Sequence, residues 1–171
     1  EWQIRVASGE ELPMSQKQVD KSRRGHSIEI RINAEDPAGA KFLPSPGQIS
    51  SLVPPDGFGV RFDTGYMSGD EVSQYYDNLV GKLVVWGRSR DVAIRRTLRA
   101  LADFEIRGVA TTIPADIAIL EHPDFSAVAH STKWVEETLD LSAVSADANQ
   151  ADTGDDVPTV RQDISVEVDG R

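Results

Sequence analysis

The sequence predicts an α+β fold, with a mainly antiparallel sheet, about three packed helices and a flexible acidic C-terminal tail. Three observations predict it. Alternating apolar residues dominate the first half, in short segments divided by Pro and Gly turns. Helical spacing takes over from about Val92. The two patterns come in blocks, strands and then helices, which favours antiparallel pairing over a doubly wound parallel sheet. No segment repeats.

The first element, "EWQIRVASGEEL", reads as the last turns of a helix closing at Gly9. "SQKQ", from Ser15 to Gln18, is a capping box that opens a helix of one or two turns. "HSIEIRINA" sets Ile28, Ile30 and Ile32 against Ser27, Glu29, Arg31 and Asn33, the cleanest half-buried strand in the chain. "EDPAG" and "PSPG" are turns. "QISSLV" and "FGVRF" are strands joined by Pro54-Pro55-Asp56-Gly57, and "KLVVWG" is a short buried strand. Ser89 or Asp91 caps a helix over about 92–104. Its buried stripe is Ile94, Leu98 and Leu101, with Arg95, Arg96 and Arg99 on a solvated face. "IPADIAILEHPDF" starts a second helix at Pro114 that stops before Pro123. "STKWVEETLDL" is a third, capped by Ser131 or Thr132.

Both ends read as cuts in a longer chain. Residues 1–12 are expected to finish a helix of a preceding domain, and 13–141 to form the domain proper. Residues 142–160 read as an acidic flexible linker. From Ser142 onward there are six Asp and one Glu against two Arg, and the stretch "SAVSADANQADTGDDVPT" carries no aromatic residue. Such a segment buries too little apolar surface to offset its ordering entropy. Residues 161–171 alternate Ile164, Val166 and Val168 and read as the first strand of a following domain.

Composition excludes several classes. The absence of cysteine rules out disulfide staples and thiolate metal sites. A net charge of −10 argues against nonspecific binding to nucleic acid or anionic membranes. No apolar run approaches the roughly 18 residues of a membrane span. There is no GxxxxGK[ST], GxGxxG or GxSxG motif. His26, His122 and His130 lack metal-ligand spacing and read as structural. Glu35-Asp36 reads as part of a capped turn.

One short stretch stands out. In "PPDGFGVRFD" a period-2 pattern puts Phe58, Val60 and Phe62 on one face and Gly59, Arg61 and Asp63 on the other. By pattern alone Arg61 is a solvated strand residue.

The order of six stretches adds more. "GHSIEIRINAEDP", "FLPSPGQI", "GFGVRFD", "YYDNLVGKL", "SRDVAIRRTLRAL" and "IRGVATT" follow one another with the gaps of a known family. Together they resemble the C-terminal domain of biotin carboxylase, over roughly residues 1–141. The wording of "ADFEIRGVATTIPADIAILEHPDF" and the acidic tail resemble actinobacterial-type acyl-CoA carboxylase α subunits, which carry biotin carboxylase and biotin carrier parts.

The resemblance implies an ATP-grasp ligase of the cytoplasm, serving fatty acid and lipid biosynthesis. It makes carboxyphosphate from ATP and bicarbonate and carboxylates biotin on a carrier. The implied cofactors of the complete enzyme are biotin, ATP and Mg²⁺, none bound by this piece alone. The implied partners are the rest of the biotin carboxylase chain, the biotin carrier domain and a carboxyltransferase β subunit, with a homodimer possible and no nucleic acid or membrane. Residues 1–12 then close the ATP-grasp domain. Arg61 is the implied catalytic residue, contacting the biotin ureido oxygen, with Gly59 beside it in substrate binding. Asp63 either steers Arg61 or is a solvent charge, and Asp56 either tempers the local field or points away. Asp77 and Lys82 read as structural. The other readings are a different ATP-grasp ligase and a noncatalytic assembly module.

Overall fold

The computed structural model describes residues 1–144. The expected strand over 161–171, and all but the first three residues of the expected linker, lie outside the described residues. The chain starts with α1 (Trp2–Ala7), which closes through Glu10 N–H to the Arg5 carbonyl, with Gly9 at φ +87°. In α2 (Gln16–Ser22) the capping box forms as its sequence requires. Ser15 N–H donates to Gln18 Oε1 at 2.7 Å.

The centre is a three-stranded antiparallel sheet. Strand β1 (His26–Asn33) pairs with β8 (Leu79–Gly87), and β8 pairs with β6 (Val60–Thr64). The register sets Ile28 and Val60 beside Val85, and Ile30 and Phe62 beside Leu83. These side chains point to one face, where α3 (Arg90–Ala102) covers them with Ala93, Ile94, Ala100 and Leu101. Burial of this alternating set is the main stabilising contribution, at about 25 cal/mol per Å² of apolar surface. Phe62 meets Phe104 edge to face, with ring centroids 4.8 Å apart. Gly81 lies under the Phe62 ring, where a Cβ would come within 2.6 Å of Cε2.

Small two-stranded pairs surround this sheet. Strand β2 (Glu35–Asp36) pairs with β3 (Leu43–Pro44) around a 3₁₀ turn, Ala38–Ala40. Asp36 Oδ1 accepts Ala38 N–H at 2.9 Å, which makes "NAEDP" the capped turn its sequence suggests. Strand β4 (Gly47–Gln48) pairs with β7 (Glu71–Val72), and β5 (Ser51–Val53) with β9 (Glu105–Arg107).

Several elements differ from expectation. "QISSLV" is not one strand. The fully buried Ile49 plugs into the core, and Ser50 N–H turns to the Arg107 carbonyl, so the chain changes partners midway. Strands β7 and β9 are too short to show a period. The strand around "KLVVWG" starts earlier, at Leu79, and is the central strand of the sheet.

The first long helix, α3, starts two residues early, with Val92 N–H on Ser89 Oγ. Leu98 is only half-buried; Thr97 is buried in the stripe, its hydroxyl donating to the Ala93 carbonyl at 2.8 Å. The second helix, α4 (Ile113–Glu121), stops before Pro123, which opens the one-turn α5 (Pro123–Ser126). The third is a single turn, α6 (Trp134–Glu137), without a side-chain cap. Thr138 leaves helical geometry at φ −130°. Buried Trp134 and Leu141 anchor this end of the described chain.

Candidate functional site

Arg61 stands on the face of the central sheet opposite α3. The reason is local. Val60 and Phe62 turn toward the core, so Arg61 and Asp63 must turn away. Register sets Arg61 opposite Val84 and Asp63 opposite Lys82. On the same face Glu29 holds Lys82 at 3.1 Å, and Arg31 reaches both Asp77 oxygens at 3.0 Å. Asp77 also accepts Leu79 N–H at 2.8 Å, tying the turn that leads into β8. Both Asp77 and Lys82 therefore act in the frame of the sheet.

Asp63 orients the arginine. Arg61 Nε lies 3.1 Å and Nη2 2.9 Å from Asp63 Oδ2. Two donors of the planar fork are thus committed, while Nη1 makes no hydrogen bond among the described residues. The side chain is 69% exposed, so this pair adds at most about 1 kcal/mol to stability. Its consequence is directional: the fork is held from one side and the Nη1 donors stay free. Asp56 turns its carboxylate onto its own turn, accepting Gly57 N–H at 2.6 Å.

Phe58 corrects the sequence reading. It lies before β6, is 80% exposed and does not share the core-facing side of Val60 and Phe62. Its ring sits edge-on to Trp86, centroids 6.5 Å apart, with the Arg96 guanidinium 5.5 Å from the ring centre. Gly59 sits between them at φ +75°. Arg96 is the second correction. Arg95 and Arg99 are exposed, as a solvated face requires, but Arg96 is half-buried and donates to the Trp86 carbonyl. Its wheel position, beside Ala93 and Ala100, was the available signal.

Sequence reasoning also missed a half-buried polar cluster near β1 and α4. Glu35 Oε1 accepts from Asn33 Nδ2 at 3.2 Å and from Asn78 Nδ2 at 2.7 Å. Beneath it lies Asp116, whose Oδ2 is shut off from solvent and unpartnered. Burial pushes the Asp116 carboxyl up to about 7; the Thr112 hydroxyl pulls the other way, and the Glu35 charge adds to the rise. An acid in the first turn of a helix usually favours ionisation, so the position gave no warning.

The histidines are structural. His26 Nε2 lies 3.1 Å from Arg90 Nη1, and since guanidinium only donates, that nitrogen accepts. His122 Nδ1 accepts Asp124 N–H, and His130 stacks on Phe125 with centroids 4.9 Å apart. Among the described residues no group of three His, Asp or Glu is arranged to hold a metal ion, and no helix is long and apolar enough to cross a membrane.

Known proteins are similar to this chain in sequence and fold. The chain is 46% identical over 139 residues to biotin carboxylase 1 of Bacillus subtilis, covering 81% of this chain and 30% of that protein. It is 40% identical over 174 residues to the biotin-dependent acyl-coenzyme A carboxylase alpha3 subunit of Mycobacterium leprae, covering 99% of this chain and 28% of that one. Among solved structures, the biotin carboxylase subunit of a pyruvate carboxylase superposes with a TM-score of 0.75 at 43% identity, covering 80% of this chain and 30% of that one. The chain spans about 30% of the length of these curated relatives. The frame that carries Arg61, from the middle of β1 through α6, coincides with residues 29–137, which match the biotin carboxylase C-terminal domain, and the chain belongs to that family.

Proposed function

We propose that this chain works as the C-terminal part of an ATP- and bicarbonate-dependent biotin carboxylase, with Arg61 contacting the ureido oxygen of carrier-bound biotin. The observation that carries the reading is the geometry of Arg61: an exposed guanidinium held by Asp63 on a paired strand, with Nη1 making no hydrogen bond among the described residues. Loss of the ureido proton builds negative charge on the ureido oxygen. A donor already in place stabilises that charge with little reorganisation, as an oxyanion hole does. Gly59, two residues earlier, enters this reading through the backbone of the lead-in to β6, since a Cβ there would meet Arg96 Nη1 and the Trp86 carbonyl.

The parent enzyme is read as an acyl-CoA carboxylase α subunit of actinobacterial type, with an ATP-grasp domain before this one and a carrier domain after it. The support is coverage. The alignment with the Mycobacterium leprae subunit takes in 99% of the chain, against 81% for the Bacillus subtilis enzyme. A role in fatty acid synthesis, a cytoplasmic location, a carboxyltransferase β subunit as partner and a homodimer follow from that reading. A related 2-oxoglutarate carboxylase of Hydrogenobacter thermophilus has a biotin carboxylase domain described as a dimer with MgADP, ADP and bicarbonate. ATP and Mg²⁺ are assigned to the preceding domain by the same reading. This chain alone is therefore expected to release no phosphate from ATP.

The test uses the full-length carboxylase chain. Arg61→Ala should lower biotin carboxylation by about 10² to 10³, the usual loss for one donor to a developing oxyanion. Bicarbonate-dependent ATP cleavage should fall less, since carboxyphosphate forms before the ureido oxygen gains charge. Arg61→Lys should recover only part, because a point charge lacks the planar fork. Unimpaired carboxylation in the alanine variant returns Arg61 to a solvated strand residue.

A further inference from the structure

We infer that Arg96 is a positioning residue for Arg61, acting through the Phe58-Gly59 lead-in to β6; this rests on the reading of Arg61 as the biotin contact. Arg96 is set apart from its neighbours on α3. Arg99 pairs with Asp103 at 3.2 Å and Arg95 is exposed. Among the described residues no carboxylate pairs with Arg96, although it is half-buried. A partly buried cation without a counter-ion must find its compensation in dipoles and ring faces. Arg96 finds both. Nη1 donates to the Trp86 carbonyl, and the guanidinium lies 5.5 Å from the centre of the otherwise exposed Phe58 ring.

The same groups close on Gly59. Trp86 N–H donates to the Gly59 carbonyl at 2.8 Å, which adds one rung to the β6–β8 ladder ahead of Val60. A Cβ on Gly59 would run into Arg96 Nη1 and come within 2.8 Å of the Trp86 carbonyl oxygen. The guanidinium fills the space that glycine leaves. One side chain thus ties three parts together: the end of β8, the Phe58 ring and the left-handed residue just ahead of β6. Arg61 is two residues further on. Without Arg96, the first rung at Gly59 loses its backing and β6 frays from the end nearest Arg61. The Asp63 pair still aims the fork, but its base moves.

The experiment uses the full-length carboxylase chain with free biotin as acceptor. Arg96→Met keeps the stem and removes the donors, Arg96→Lys keeps the charge, and Phe58→Ala removes the exposed ring without opening the core. Peptide-level hydrogen exchange reads the lead-in directly. In Arg96→Met, exchange at the Trp86 amide should rise about tenfold while β1 stays protected. The kcat/KM for biotin carboxylation should fall about tenfold, mostly in kcat, and biotin-independent ATP cleavage should change less than twofold. Arg96→Lys should lie between, and Phe58→Ala should shift biotin kcat/KM in the same direction. In an Arg61→Ala background, Arg96→Met should add almost nothing. If Arg96→Met fails to fold, the Arg96→Lys and Phe58→Ala shifts decide. Wild-type exchange and biotin kcat/KM in these variants, an equal loss in ATP cleavage, or full additivity with Arg61→Ala overturns the inference. An Arg61→Ala enzyme that carboxylates normally instead overturns the reading beneath it, whatever Trp86 exchange shows.

Discussion

Replacing Asp116 with Asn should make the domain more stable at pH 8 and leave it almost unchanged at pH 4. The carboxyl sits at about 7 in the folded chain against 3.8 for a free aspartate, because its Oδ2 is enclosed and unpartnered. The sign follows from proton counting. Between about pH 4 and pH 7 the native state holds this proton and the unfolded chain has lost it. The native state therefore binds more protons, and stability falls as pH rises through that window. Below it both states are protonated and the cost vanishes; above it both are ionised and the cost is complete. Three pKa units correspond to about 4 kcal/mol, an upper limit if the cluster relaxes on ionisation. Asn cannot ionise, so the variant lacks this slope. Urea denaturation of both proteins from pH 4 to pH 9 gives the difference at each pH. The expected curve climbs from near zero, rises most steeply between pH 5 and 7 and levels off by pH 8. Any fixed offset from the amide shifts the curve without tilting it. A flat difference, or one that grows toward acid, refutes the account of Asp116 as a carboxyl kept protonated by burial.

Val128 holds φ +59°, a left-handed geometry that a β-branched side chain tolerates poorly, so Val128→Gly should stabilise by about 1 kcal/mol in urea melts. Gly81→Ala should cost about 1–3 kcal/mol, because the Phe62 ring occupies the place of the new methyl; a paired Phe62→Leu change should recover part of it. Arg95→Glu should change stability by about 0.5 kcal/mol or less, as for an exposed helix position. Arg99→Glu should cost up to about 1 kcal/mol, since its Asp103 pair becomes a like-charge one.

The parts legible in the sequence were those set by a local rule. "HSIEIRINA" became β1 because alternation over eight residues allows one register with Ile28, Ile30 and Ile32 inside. The Ser15 capping box and the Pro123 stop worked for the same reason: each is a contact within one turn of chain. What was missed depends on distant partners. Nothing near Gln48 announces that the strand will change partners at Ile49, because β7 and β9 supply those partners from 23 and more residues away. The short α6 has helix-forming residues but gains its burial from Trp134 and Leu141, which fix the chain without a second turn. At the site, Arg61 stood out only through the resemblance, since its alternation fits a solvated strand equally well. Arg96 and Asp116 lay on segments correctly expected to be helices, but the faces they occupy were not read. Their burial comes from Phe58, Trp86 and Glu35, none adjacent in sequence.

The pairing of Arg61 with Asp63 bears on what Arg61 is suited to bind. An unpaired, exposed arginine attracts any anion, including the bicarbonate and phosphates of the proposed reaction. Here the nearest carboxylate already offsets much of that charge, and two of the donor directions are taken. The ground-state attraction for a free anion is thereby reduced. The remaining Nη1 donors are still fixed in space, and their value grows as an acceptor gains charge. A ureido oxygen is such an acceptor: neutral on arrival, negative once its proton has gone. An arginine held by its own strand neighbour thus discriminates between a charge that is already present and one that develops during reaction. That is the difference between binding a substrate and stabilising its transition state. The answer to why β6 raises one guanidinium out of an apolar stretch lies in both faces of the strand at once. Val60 and Phe62 fix the backbone against the core, and Asp63 fixes the fork against the backbone, so the free donors need no further ordering when the ligand arrives.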